Sequence, residues 1–167
     1  AKIGTATYPT FAAAVAAAQA DDVIEICKAD TYTMPNLPAN ITIKGAVEGV
    51  VFNCEGSGNI ASVPSGATFE NLTMNFGTND YHGFQHSGEI TMKDCTLNGK
   101  LFNYNNMFFE GCTFNAPGTE ESGYSNKDYS MWIYSGNSTY TNCTFNSAGK
   151  VVNVYYEGNG GGTPWKV

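Results

Sequence analysis

DCTLNG at residues 94–99, GCTFNA at 111–116 and NCTFNS at 142–147 are three writings of one phrase. NLTMNF at 71–76 is a fourth, with Leu72 where the others have cysteine. From Leu72 to Cys95, Cys112 and Cys143 the intervals are 23, 17 and 31 residues. Constant content at unequal spacing marks a fixed unit joined by variable loops. Stacked on each other, the copies sort into columns. Phe69, Met92, Phe109 and Tyr140 form one apolar column, and Met74, Leu97, Phe114 and Phe145 another, with Leu72 and the three cysteines between them. Glu70, Lys93, Glu110 and Thr141 are polar. Thr73, Thr96, Thr113 and Thr144 are identical, as are Asn75, Asn98, Asn115 and Asn146. Alternation with a period of two is the signature of a strand with one buried face.

The column of Asn71, Asp94, Gly111 and Asn142 interrupts that alternation. Gly, Asn and Asp tolerate a left-handed backbone, so the chain is expected to bend there between two short strands. Like residues stack on like only if successive units pair in parallel and in register, about 4.8 Å apart. The phrase therefore predicts one corner and two faces of a parallel β-helix. A third strand per coil is expected in GFQHSG (83–88), KLFNYN (100–105), SMWIYSG (130–136) and KVVNVYYEG (150–158), with Phe84, Leu101 and Trp132 facing inward. NITIKG and GNIASV read as earlier, less regular coils.

Five cysteines, three of them in the phrase, raise the question of disulfides. A ladder of small buried thiols fits the columns. Neighbouring coils lie within disulfide range, but in-register side chains point the same way, which suits that bond poorly. Free thiols and one disulfide both remain open. No CxxC spacing and no paired histidines indicate a metal site, and no cofactor is expected.

The chain has 167 residues, 42% of them hydrophobic, enough for one domain with a real core. Its net charge is −7, and all eight cations are lysines. Nucleic acid, held by clustered Lys and Arg, is not an expected partner. No apolar run approaches the ~20 residues of a membrane span, and no signal peptide is evident, although a mature form would have lost one.

At the N-terminus, YPTFAAAVAAAQADD predicts a helix over 8–20 with Thr10 as its N-cap and Phe11, Val15 and Ala18 on one face. It would serve as the lid that a stack of coils needs at an open end. DVIEI is expected to begin the first strand. The run YPTFAAAVAAAQADDVIEICKADTY, followed by NITIKG, resembles the entry segment of pectin-lyase-like right-handed β-helices. The resemblance implies an all-β, right-handed parallel solenoid with an N-terminal capping α-helix. Residues 1–157 would form the single domain, with 158–167 a Gly-rich tail or linker to further domains of a larger surface protein. Within that superfamily the Ala/Thr/Asn-rich chain most resembles non-enzymatic domains of bacterial cell-surface, adhesin-like proteins, which implies secretion or display outside the cell.

Catalysis needs a constellation that is hard to find. Lyases of this fold typically use an arginine or lysine base beside acidic Ca²⁺ ligands, and this chain has no arginine. Hydrolases need paired carboxylates, whereas the outward columns are mostly Thr and Asn. Asp80, His82 and His86 in NDYHGFQH are the weak catalytic candidates. The loops are more informative. FGTNDYH follows Asn75 and APGTEESGYSNKDYS follows Asn115, but only Gly99 follows Asn98. A short turn between two long ones predicts a notch, roughly 10 Å wide at two strand spacings. Lys100, Phe102 and Tyr104 would form its floor and flank, with Ile133 and Tyr134 on the next coil. Tyr81, Glu120, Glu121, Tyr124, Asp128 and Tyr129 would line the walls with Asp80 and His82. Aromatic faces beside carboxylates suit sugars. The expected function is structural or adhesive binding of a polysaccharide or a host or cell-wall component. A polysaccharide-active lyase or glycoside hydrolase, and a phage tail-spike-like module, are the alternatives.

Overall fold

The computed structural model describes residues 1–56, 58–63, 65–78, 82–116, 129–147 and 151–154. Strands β1 (Lys2–Ile3) and β2 (Ala6–Thr7) precede helix α1 (Phe11–Ala17). Then come β3 (Val23–Ile26), β4 (Asp30–Thr33), β5 (Ile41–Gly45), β6 (Val50–Asn53), β7 (Ser62–Val63), β8 (Ala67–Glu70), β9 (Thr73–Gly77) and β10 (Gln85–His86). The remainder are β11 (Ile90–Lys93), β12 (Thr96–Gly99), β13 (Leu101–Asn103), β14 (Met107–Glu110), β15 (Thr113–Asn115), β16 (Met131–Ile133), β17 (Ser138–Thr141), β18 (Thr144–Asn146) and β19 (Val152–Val154). The chain is predominantly β, mostly parallel, in stacked sheets with one short helix, an arrangement compatible with a β-helix or solenoid.

The first sheet runs β17-β14-β11-β8-β5-β3-β1-β2 and the second β18-β15-β12-β9-β6-β4; β13, β16 and β19 form a third. The columns read from the sequence are the observed registers. Phe69 pairs with Met92, Met92 with Phe109 and Phe109 with Tyr140. The threonines pair with one another in order, and so do the asparagines. The second sheet also extends further than the phrase did, because Val51, Phe52 and Asn53 pair with Thr73, Met74 and Asn75. NITIKG is likewise regular, with β5 in register between β3 and β8.

The bends follow the expected chemistry. Asn71, Asp94, Gly111 and Asn142 all have positive φ, between 50° and 65°. At Gly111 a Cβ would stand 2.3 Å from the Asp94 carboxylate, which would have to turn aside for any larger residue there.

Inward columns make the core. Phe69, Met74, Met92, Leu97, Phe109 and Phe114 are buried, each contributing roughly 1.5–3 kcal/mol by leaving water. The rings stack along the ladders: Phe109 on Tyr140 at 5.2 Å and 6°, and Phe114 on Phe145 at 4.6 Å and 12°. All five cysteines are free. Cys95 and Cys112 are buried, and their thiols lie against the carbonyls of Phe69 (3.5 Å) and Met92 (3.3 Å) on the preceding level. Cys143, expected in the same buried ladder, is only half-buried, since it sits in the final paired level of the described second sheet.

The N-terminal end differs from expectation in two ways. Helix α1 spans seven residues rather than 8–20. Thr10 caps it, its hydroxyl accepting from the Ala13 N–H at 3.0 Å. It stops because Ala18 is extended and the Asp22 carboxylate takes the Gln19 N–H at 2.7 Å. The lid is also more than a helix. β1 pairs antiparallel with β3, Ile3 opposite Ile24, and covers the edge that β3 would otherwise expose. The segment 158–167 lies outside the described residues.

Candidate functional site

KLFNYN and SMWIYSG do pair in parallel, but one residue away from the expected register. Leu101 lies beside Met131, Phe102 beside Trp132 and Asn103 beside Ile133. Phe84 and Leu101 face the core, whereas Trp132 does not. A slip of one residue moves a side chain to the other face. Phe102 and Trp132 therefore stand outside the main core, in a satellite cluster with Tyr129, Tyr104 and Tyr134. The inward Asn103 is satisfied, its amide donating to the Ser138 hydroxyl at 2.6 Å.

Phe102 is the hub of the cluster. Its ring lies 4.3 Å from Tyr104, 5.2 Å from Trp132 and 5.3 Å from Tyr134. Tyr129 meets Trp132 edge-on at 6.1 Å. The Lys100 ammonium sits 4.7 Å above the Tyr129 ring, a cation–π contact. Gly83 makes room below: a Cβ there would stand 2.2 Å from the Phe102 carbonyl oxygen and 3.2 Å from the Tyr104 ring.

This geometry corrects the open floor expected from the sequence. Phe102 is 3% exposed and Lys100 3%, while Tyr129 and Ile133 are also buried. Rings placed on the outer face of so short a sheet leave water by packing on each other. Tyr104 and Tyr134 remain half-buried, packed against a buried aromatic base. Asp80, Tyr81, Glu120, Glu121, Tyr124 and Asp128 lie outside the described residues.

The two histidines are engaged with backbone. His82, expected on the wall of the notch, is 2% exposed, with Nδ1 2.6 Å from the Gly58 carbonyl and Nε2 against that of Cys54. His86 Nδ1 lies 2.7 Å from the Gly88 carbonyl, and burial pushes its pKa down. Among the described residues no three His, Cys, Asp or Glu side chains gather so as to hold a metal ion. Nor is any described helix long and apolar enough to cross a membrane.

A second surface was not legible as a site. The outer face of the second sheet carries the Thr and Asn ladders side by side. Asn98 donates to Asn75 at 2.8 Å, Asn115 to Asn98 at 2.7 Å and Asn146 to Asn115 at 2.8 Å. At one corner, residues 46–49 form a longer turn between β5 and β6 than the two-residue bends of the following levels. A groove of about 400 Å³ lies between that turn and Asn71, Thr73, Asp94 and Thr96. The two extra residues in GAVEGV were the available signal.

The class these observations define is a β-rich, mostly parallel repeat domain with an outer aromatic patch. Compared with known proteins, the chain matches no family model, no curated protein and no solved structure.

Proposed function

We propose that the chain is a right-handed parallel β-helix domain, secreted or displayed on a bacterial surface, that binds glycan without cleaving it. The ladder registers, the positive-φ bends and the entry segment support the fold. The observation that carries the function is the half-buried pair Tyr104 and Tyr134, packed against the buried Phe102 and Trp132. Tyrosine combines an apolar ring with a hydroxyl, which suits the ring faces and hydroxyl edges of a sugar. Packing beneath holds both rings still, so little side-chain freedom remains to be lost on binding. A polysaccharide, or a host or cell-wall component carrying one, is the proposed partner, and further domains of a larger surface protein would present it.

A glycan array read for both binding and release of product tests this reading. Wild-type protein is expected to bind without product. Tyr104→Ala and Tyr134→Ala are expected to lose binding with little change in melting temperature. Product release by the wild type would transfer the domain to the polysaccharide-active enzymes. Earlier melting with no ligand on the array would leave the patch a packing cluster.

A further inference from the structure

We infer that the outer face of the six-stranded sheet is a separate binding surface for an ordered solid of neutral, N-acetylated polysaccharide. This inference rests on the glycan-binding reading for its ligand class, but it uses a different face and different residues.

The face is a two-dimensional lattice. In-register parallel pairing repeats each column about every 4.8 Å across the strands, and the Thr and Asn columns, two residues apart, are separated by roughly 6.6 Å along them. Thr73, Thr96, Thr113 and Thr144 form one row and Asn75, Asn98, Asn115 and Asn146 the other, without interruption over four levels. Sheet pairing holds both rows rigid.

Its hydrogen-bonding capacity is only partly used. An amide has two N–H donors and an oxygen with two lone pairs. The ladder takes one donor from Asn98, Asn115 and Asn146 and one lone pair from Asn75, Asn98 and Asn115. A second donor and a second lone pair therefore recur at the lattice spacing. Beside them the threonines add a row of hydroxyls and methyls.

Charge points to a neutral partner. The chain carries −7, and the outer face of the first sheet bears Lys44, Glu70, Lys93 and Glu110, with Lys44 paired to Glu70 at 2.7 Å. The Thr and Asn rows of the second sheet carry no charge. An uncharged polymer can lie on them without leaving a buried ion unpaired.

The amide ladder selects the kind of polymer. Crystalline polymers of N-acetylated sugars pack their chains through amide-to-amide hydrogen bonds between acetamido groups, at a repeat close to the separation of β-strands. Such a row and the Asn ladder share a period, so each spare Asn N–H can meet the second lone pair of an acetamido carbonyl in turn. A soluble oligosaccharide meets few of these groups at once. Each contact is weak, and affinity comes from many acting together.

The test is depletion of the protein from solution by α-chitin powder, with microcrystalline cellulose and growing ice as competing solids. Soluble N-acetylated oligomers are titrated by calorimetry in parallel. Thr96→Lys/Thr113→Lys sets two charges in the middle of the face, and Thr96→Val/Thr113→Val removes two hydroxyls while keeping the branched shape. Thr91→Lys, on the outer face of the first sheet, is the control, and Tyr104→Ala reads the aromatic patch separately. Wild type and Thr91→Lys are expected to partition onto chitin, and the lysine pair to fall by about tenfold or more, as a multivalent array does when its centre is lost. The valine pair, with an unchanged melting curve, should fall in the same direction. Undiminished partition of both double variants overturns the inference, as does equal partition of the wild type onto cellulose. Partition into ice, lost in the double variants, would reassign the face to the water lattice. Soluble binding that Tyr104→Ala abolishes, without depletion by chitin, leaves the glycan-binding reading standing and removes this one. Binding to neither solid nor soluble glycan removes both.

Discussion

Cys112 shows what one inward position asks of a side chain. Its thiol is buried, 3.3 Å from the Met92 carbonyl and 3.5 Å from that of Glu110, where a larger group would collide with the level below. Cys112→Ser buries a more polar group in the same space, and we expect a loss of about 1–3 kcal/mol in denaturant unfolding. Thiol labelling of the native protein should proceed first at the exposed Cys27, next at half-buried Cys143, and slowest at Cys54, Cys95 and Cys112. Fast labelling of Cys95 would place the column wrongly. The thiols also set an alkaline limit. Burial pushes Cys54 from 9.0 up to about 12. A group whose pKa is raised on folding stabilises the native state fully below its unfolded pKa. That contribution is lost as pH rises through the folded value. Stability should therefore decline between about pH 9 and about pH 12, by on the order of a few kcal/mol for this group. Tyr140, raised by burial to about 12, adds to the same decline. Cys54→Val should flatten part of the curve in unfolding measured across that range.

Among the elements, the N-terminal hairpin and helix do what the repeats cannot do for themselves. β1 satisfies the open edge of β3, and Phe11 of α1 packs edge-on against Phe52 at 5.3 Å and Tyr32 at 5.8 Å. Deleting residues 1–20 should therefore expose both a strand edge and apolar core, and the product should aggregate. Size-exclusion chromatography decides it: a soluble monomer with an unchanged melting curve would exclude the lid.

For the whole molecule, each level touches chiefly the levels on either side, so stability is expected to vary along the stack. The central strands β11 and β12 are paired on both edges, and Ile90, Met92, Cys95 and Leu97 are buried. At the far end Tyr140, Cys143 and Phe145 are only half-buried. Amide exchange should be slowest in Ile90–Gly99 and fastest in Thr144–Asn146. A uniform rate over the stack would indicate one cooperative unit instead.

The sequence by itself determined the repeated levels of the two large sheets and their corner. The period-two pattern is local, and four copies of it in one chain could be compared without any partner, so registers and bends were readable, as was the Thr10 cap from the helix start around it. Val51-Phe52-Asn53 escaped because a valine stands where the other copies have threonine. The tertiary structure alone decided the third sheet and the site built on it. Leu101-Phe102 and Met131-Trp132-Ile133 are apolar at adjacent positions, so they carry no alternation to say which side chain faces inward. Their register was set by what each side could pack against: Leu101 and Met131 against the core, Phe102 and Trp132 against each other and Tyr104, Tyr129 and Tyr134. The β1–β2 hairpin was hidden for the same reason. Two-residue strands have no period, and they form only because a finished sheet presents an edge to be covered.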